Sequence, residues 1–439
     1  MCSCGAGLAP AFDKPWGWRA GVRSRGLGAR ESVNVTPASS HDADGLSACE
    51  AALPIGVNER TVRRAIARGE LSAVKRGGVF RIDAALFANA IDRDILEALL
   101  GAIRAALPDY RRYLRAKARL LGLPAPAGYD LMAPVGEPAP WPYDDACGFV
   151  REAFAAFHPK LGAFAERAFA ASWIDAAPRV GKVGGASCTG VGDDASRILL
   201  NYTPAATSMG ALAHELGHAY HNCVPEERGR TFLQAPPDYG PEPGTPIVLA
   251  ETASTLCEVL VQRAAVDAAA HPALRIAALE AWLQSFTLST FGILPAFEFE
   301  RRLFATRAQR ELPPAEMEAL MAAAWREVAG DAIEPDTVWS DSWTIVHFSI
   351  DNLVYYNFPY AFGMLFSLGL LAARDANPEG FIERFDALLA DFAMREANDL
   401  AAPFGIDLAD PAFWRASLDS FRADVDRFEG LADGERVLR

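Results

Sequence analysis

From about residue 91 to the end of the chain, apolar side chains recur at spacings of three and four. The stretches DILEALLGAIRAAL, DYRRYLRAKARLLGL, DACGFVREAFAAFHPKLGAFAERAFAASW, PPAEMEALMAAAWREV and FIERFDALLADFAMREANDL all carry this period, which predicts amphipathic helices. The proline-rich stretch 124–143 breaks the pattern and predicts a loop. Between Val180 and Tyr202 glycines give way to RILLNY, which predicts a small strand pair among the helices. The long apolar run Ala361 to Ala373 contains Gly, Ser and Met and falls short of the roughly 20 residues a membrane span requires. No internal repeat is visible. The expected fold class is mostly α with a small β element.

The first 90 residues read differently. Residues 1–45 are rich in Gly, Ser, Ala and Arg without an apolar period, and are expected to be a disordered leader. Residues 46–90 form a second zone. A short helix is expected to open at Ser47, and after an Ile-Gly-Val turn a second helix begins beyond Asn58, a good N-cap. Val62 and Ile66 give that helix an inward face, while Arg60, Arg63, Arg64 and Arg68 point outward until Gly69 ends it. Lys75-Arg76-Gly77-Gly78 predicts a hairpin turn between two short strands. This order resembles the excisionase-type DNA-binding module, a helix–turn–helix with a basic wing, over about 40 residues.

Composition sets the bounds. The 439 residues carry a net charge of −14, with 22% charged and 51% hydrophobic residues, as in a globular protein. A net negative chain is not a nucleic-acid binder over its whole surface. Residues 1–82 nevertheless hold 12 basic and 7 acidic side chains, so the remainder carries −19. Seven cysteines, odd in number and scattered, make no disulfide framework, and the N-terminus lacks the basic-then-apolar order of a secretory signal. The expected location is the cytoplasm, without membrane association.

The sharpest chemistry is His214-Glu215-Leu216-Gly217-His218. On a helix, positions i and i+4 share a face, so both imidazoles can reach one metal ion, while Glu215 can reach a water beside it. A hydrolytic zinc site uses three protein ligands and leaves a position open. Met209, Leu212, Ala213, Ala219 and Tyr220 around the motif predict a buried helix. The metzincin continuation fails, because positions 221 and 224 are His221 and Val224 where that pattern needs Gly and His. Downstream, Glu251 and Glu258 stand seven apart on one face of another helix. Glu251 is expected to be the third ligand, and Glu258 the partner that holds a ligand imidazole in its tautomer.

HELGHAYHN followed by TPIVLAETAST resembles the M3 family of zinc metallopeptidases, in particular its oligoendopeptidase F branch. The similarity runs over roughly residues 95–430 and includes YLRAKARLLGL, YDLMAP, WIDAAPRVGKVGGASC, RILLNY and VYYNFPYAFG. The resemblance implies a helical, zincin-type, two-lobed shell around a deep peptide channel, one zinc ion on its floor and oligopeptides as substrates. It also implies that Tyr356 and Tyr360, and then His347, stabilise the oxyanion of the tetrahedral intermediate, with Tyr355 serving in packing. Gly181 to Cys188 would offer a strand edge to the peptide backbone. Cys188, Cys223 and Cys257 are read as small buried residues. The chain departs from the family pattern in a longer spacer between His218 and Glu251, in Ser187 where an aromatic is common, and in residues 46–90, which stand where a full-length member has an N-terminal helical lobe.

The expected function is therefore a zinc-dependent endopeptidase of residues 91–439, with His214, His218 and Glu251 on the metal and Glu215 as general base. Two alternatives stand beside it. One is a DNA-binding regulator with a peptidase-like sensing or processing domain, its residues 46–90 capable of weak DNA binding. The other is an inactive, truncated peptidase.

Overall fold

The apolar period of three and four is realised as helices. In a computed structural model of the chain, the described residues are 46–47, 74–76, 79–82, 90–136, 139–192, 194–228, 247–307, 309–344, 355, 357–392 and 395–438. Helix α1, Arg93–Ala105, opens at Asp92, whose side chain accepts the Ile95 N–H at 2.9 Å, and α2, Leu107–Leu121, follows directly. The single helical stretch expected over 145–173 is two helices, α3 (Tyr143–Phe157) and α4 (Pro159–Ala170). His158 between them is extended because the residue before a proline is driven out of the α region; its Nδ1 accepts the Lys160 N–H.

Next come α5 (Ala206–Glu227) and α6 (Ile247–Ala268). They are followed by α7 (Pro272–Thr290), α8 (Ile293–Arg307), α9 (Pro314–Ala329), α10 (Phe358–Ala376), α11 (Phe381–Asp391), α12 (Ala397–Ala401) and α13 (Pro411–Leu438). The apolar run 361–373 lies in α10, which packs against α6, α7 and α13. Phe362 and Trp414 meet there with ring centroids 5.2 Å apart. Burial on several sides, not a bilayer, accounts for that run. No described helix is long and apolar enough to cross a membrane.

Among the described residues, two small sheets accompany the helices. Leu46–Ser47 (β1), Val74–Arg76 (β2) and Val79–Ile82 (β3) form an antiparallel sheet in the order β1-β3-β2, with Arg76 opposite Val79. Two short strands are thus present as expected, but Lys75 and Arg76, expected in the turn, lie in β2. Ser47, expected to open a helix, instead pairs with Arg81. An N-cap residue has extended backbone angles, so its place in a strand reflects a local preference that tertiary pairing has captured. The expected leader (1–45), the helix–turn–helix helices beyond Ser47 and residues 229–246 of the spacer expected to be a loop from Pro225 fall outside the described residues, while Pro225 to Glu227 continue the helix that carries His214.

In place of the strand pair expected over 180–202 there are three strands in the order β4-β6-β5: β4 (Ile174–Asp175), β5 (Ser187–Gly192) and β6 (Ala195–Leu199). The β5–β6 hairpin is local and legible. The parallel pairing of β4 with β6 joins residues more than twenty apart, and a two-residue strand leaves no periodic signal. The sheet packs on α5, where Asn222 donates to Ser196 Oγ at 3.2 Å.

What positions the site is the packing of α5 on α6. A Cβ on Gly217 would lie 2.5 Å from the Ala253 carbonyl oxygen and 2.6 Å from the Ser254 Cα. Only a residue without a side chain lets these two backbones approach so closely. Met209, Leu212, Ala213 and Leu216 on α5, with Val248, Leu249, Ala253 and Leu256 on α6, are fully shielded from solvent. Gly217→Ala is therefore expected to lose about 1–3 kcal/mol in chemical denaturation, although alanine is the better helix former by about 1 kcal/mol. Gly430→Ala in α13, where a Cβ meets nothing within 4 Å, should be neutral or stabilising. Equal behaviour of the two variants would show that the close approach is not required.

Candidate metal centre

Gly217 brings α6 against the face of α5 that carries His214 and His218. Their rings stand with centroids 4.9 Å apart. His214 Nε2 lies 3.3 Å and His218 Nε2 3.5 Å from the same oxygen, Glu251 Oε2. One donor atom from each of the three residues falls within 4.8 Å of the others. Ligands at the usual zinc distances of roughly 2.0–2.2 Å in a tetrahedron stand about 3.4 Å from one another. The histidine–glutamate separations therefore suit one shared ion, and two imidazoles with one carboxylate are a donor set suited to zinc.

The three groups are also coupled in charge. Burial pulls both imidazoles down, but hydrogen bonding and charge from Glu251 outweigh it, leaving His214 well above the ordinary histidine range and His218 raised. Burial pushes Glu251 up, and the two histidines carry it in the end well below the usual carboxylate range. Without an ion the imidazole protons compensate Glu251, and a cation held there would take over that role as the imidazoles gave up their protons.

Glu215 stands apart. It is 5% exposed, and its Oε2 is buried without a hydrogen-bond partner. Burial raises its affinity for a proton, and the neighbouring histidine charges only partly offset this. A buried carboxylate oxygen without a partner is costly in a folded protein and marks a place where another polar group belongs.

Around these groups lies a supporting layer. Glu258 Oε2 sits 3.1 Å from His214 Nδ1, the position expected for a tautomer-holding carboxylate. Its other oxygen accepts from Gln262 Nε2 at 2.9 Å and from Ser285 Oγ at 2.6 Å. Ser254 Oγ donates to Glu251 Oε2 at 2.9 Å. Ser254 and Gln262 follow their glutamates at i+3 and i+4 and could have been found by helical spacing. Ser285 comes from α7 and had no sequence signal.

The tyrosine segment is described in part. His347 and Tyr356 fall outside the described residues. Tyr360 lies in the first turn of α10, and Gly363, one turn on, is close enough to α6 that a Cβ would sit 3.0 Å from Glu251 Cβ. Ser367 Oγ, one further turn along, donates to the Thr252 carbonyl at 3.0 Å. Positions 360, 363 and 367 share a helix face, so Tyr360 belongs to the side of α10 that meets Glu251. Tyr355 packs between Phe297 and Phe304, at ring-centroid distances of 5.0 and 5.8 Å. Of Gly181 to Cys188, only Ser187 and Cys188 enter the β5 edge strand. Cys223 and Cys257 are buried, Cys188 is half-buried, and none of the three belongs to the metal-ligating group.

Residues 152–406 match the model of Peptidase family M3. The chain belongs to peptidase family M3. Among relatives in this family, it is 27% identical over 355 residues to the Group B oligopeptidase PepB of Streptococcus agalactiae, covering 79% of this chain and 56% of that one. It is 25% identical over 355 residues to the oligopeptidase PepF of Bacillus subtilis, covering 80% and 51%. The crystal structure of oligoendopeptidase-F from Enterococcus faecium superposes with a TM-score of 0.58 at 20% identity, over 80% of this chain and 55% of that one. The mostly helical fold is thus that of oligoendopeptidase F structures. The chain spans about half the length of these relatives, and the M3 match lies wholly beyond residues 46–90.

Glu258→Leu should lower zinc affinity about 10- to 100-fold, measured by competition with a chelating dye, while helical content stays unchanged. Affinity equal to that of the unsubstituted protein would remove Glu258 from the site.

Proposed function

We propose that this M3 family member is a zinc-dependent endopeptidase that hydrolyses oligopeptides. The observation that carries this reading is the convergence of His214, His218 and Glu251 beside Glu215, whose buried Oε2 lacks a partner. His214 and His218 from α5 and Glu251 from α6 would hold the ion. Zinc bound there would supply Lewis acidity toward the scissile carbonyl and acidify water.

The remaining steps belong to the side chains. Glu215 takes a proton from the attacking water at Oε2 and returns it to the leaving amine. A carboxylate with raised proton affinity is suited to both transfers, because it binds the proton firmly enough to carry it between steps. Glu258, braced by Gln262 and Ser285, keeps the His214 Nδ1 proton in place so that Nε2 presents its lone pair. Ser254 fixes the Glu251 carboxylate. The Tyr360 hydroxyl, delivered by the face of α10 that meets Glu251, donates to the oxygen on which negative charge develops. The names of the relatives point to oligopeptides as the substrate class.

Glu215→Gln should retain about one equivalent of zinc by mass spectrometry and lose roughly 100- to 10,000-fold in kcat/KM on an internally quenched oligopeptide. Glu251→Ala should lose the zinc as well. Wild-type turnover by the zinc-loaded Glu215→Gln protein would falsify the mechanism.

A further inference from the structure

Among the described residues, one of the buried carboxylates outside the chemistry above has an oxygen without a partner. Glu300, on α8, is fully shielded from solvent, and its Oε1 has no hydrogen-bond partner. Its Oε2 accepts the backbone N–H of Tyr355 at 2.6 Å, across 55 residues of chain. Burial pushes the carboxyl up to about 7, opposed by that single N–H. Since burying a carboxyl is costly and a leucine would fill similar space at a lower desolvation cost, the contribution of Glu300 lies in the direction of its hydrogen bond.

Tyr355 needs such a hold. Its φ is +56°, in the left-handed region that side chains other than glycine rarely occupy. Phe297, Glu300 and Phe304 fall at i, i+3 and i+7 of α8 and so share a face. The two rings flank the Tyr355 ring while the carboxylate takes its N–H. Three residues later α10 begins, and it carries Tyr360 in its first turn and Gly363 against Glu251. Tyr355 thus stands three residues ahead of the helix that carries Tyr360 and Gly363.

We propose that Glu300 is a positioning residue, which captures the Tyr355 N–H in a left-handed turn and thereby aims the start of α10, with Tyr360, at the reacting carbonyl. The catalytic half of this statement rests on the peptidase reading, whereas the capture of the turn does not. Glutamine keeps an acceptor at the same reach and leucine removes it. In Glu300→Leu, exchange of the Tyr355 amide, read by hydrogen–deuterium exchange on overlapping peptides, should be at least about 10-fold faster than in wild type, and Glu300→Gln should restore protection. On the quenched peptide, Glu300→Leu should lower kcat about 10- to 100-fold with KM within about two-fold and zinc content unchanged, and Glu300→Gln should recover most of the loss.

Unchanged exchange in Glu300→Leu overturns the proposal whether or not the protein is active. An active wild type with an equally active Glu300→Leu also overturns it. Parallel loss of melting temperature, zinc and activity in both variants would reduce Glu300 to a structural group, which again overturns the proposal. A wild type that holds zinc but cleaves no peptide defeats the peptidase reading alone, and the exchange result then still decides whether Glu300 holds the turn.

Discussion

The close approach of α5 and α6 at Gly217 is the constraint on which the site depends. One ion shared by these groups would need a carboxylate from one helix within about 3.4 Å of two imidazoles on another. Helices in ordinary contact stand about 8–10 Å apart, with side chains filling the gap. Here the α5 backbone at Gly217 touches the Ala253 carbonyl region, so Glu251, two residues earlier on α6, can reach both histidines. The surrounding apolar residues exclude water, which raises the proton affinity of Glu215 and strengthens every charge interaction among the four groups.

A second contact of the same kind brings in α10. Gly363 removes the side chain that would otherwise separate it from Glu251, and Ser367 ties it to the Thr252 carbonyl. Three helices distant in sequence thus meet at one carboxylate. The layer beyond them is polar and closely satisfied: Glu258 is held on both oxygens, by His214 on one and by Gln262 and Ser285 on the other, and Ser254 fixes Glu251. Such a layer limits the rotamers of His214 and Glu251, which for a site that holds an ion matters more than the net stability of any one bond.

The helices were legible because an amphipathic helix writes its period into the sequence. The shared helix faces of the candidate site were legible for the same reason: His214 with His218, and Glu251 with Glu258, are spacings that return to one helix face. The break at His158, the strand pairing of Ser47 and the third strand Ile174–Asp175 were missed. Each depends on a single proline, a capping preference or a two-residue pairing, signals too short to register against an eleven-residue window.

By itself, the sequence determined which residue types could bind a metal, which helices carry them and on which faces they lie, since these follow from covalent order and helical period. It also identified the family, because several motifs recur in a set order. The tertiary structure alone decided that α5 and α6 meet backbone to backbone, that Ser285 reaches Glu258 from a different helix, and that Glu300 captures the Tyr355 N–H across 55 residues. These depend on the packing of segments far apart in the chain, and no local period encodes which distant atom will fill a given gap.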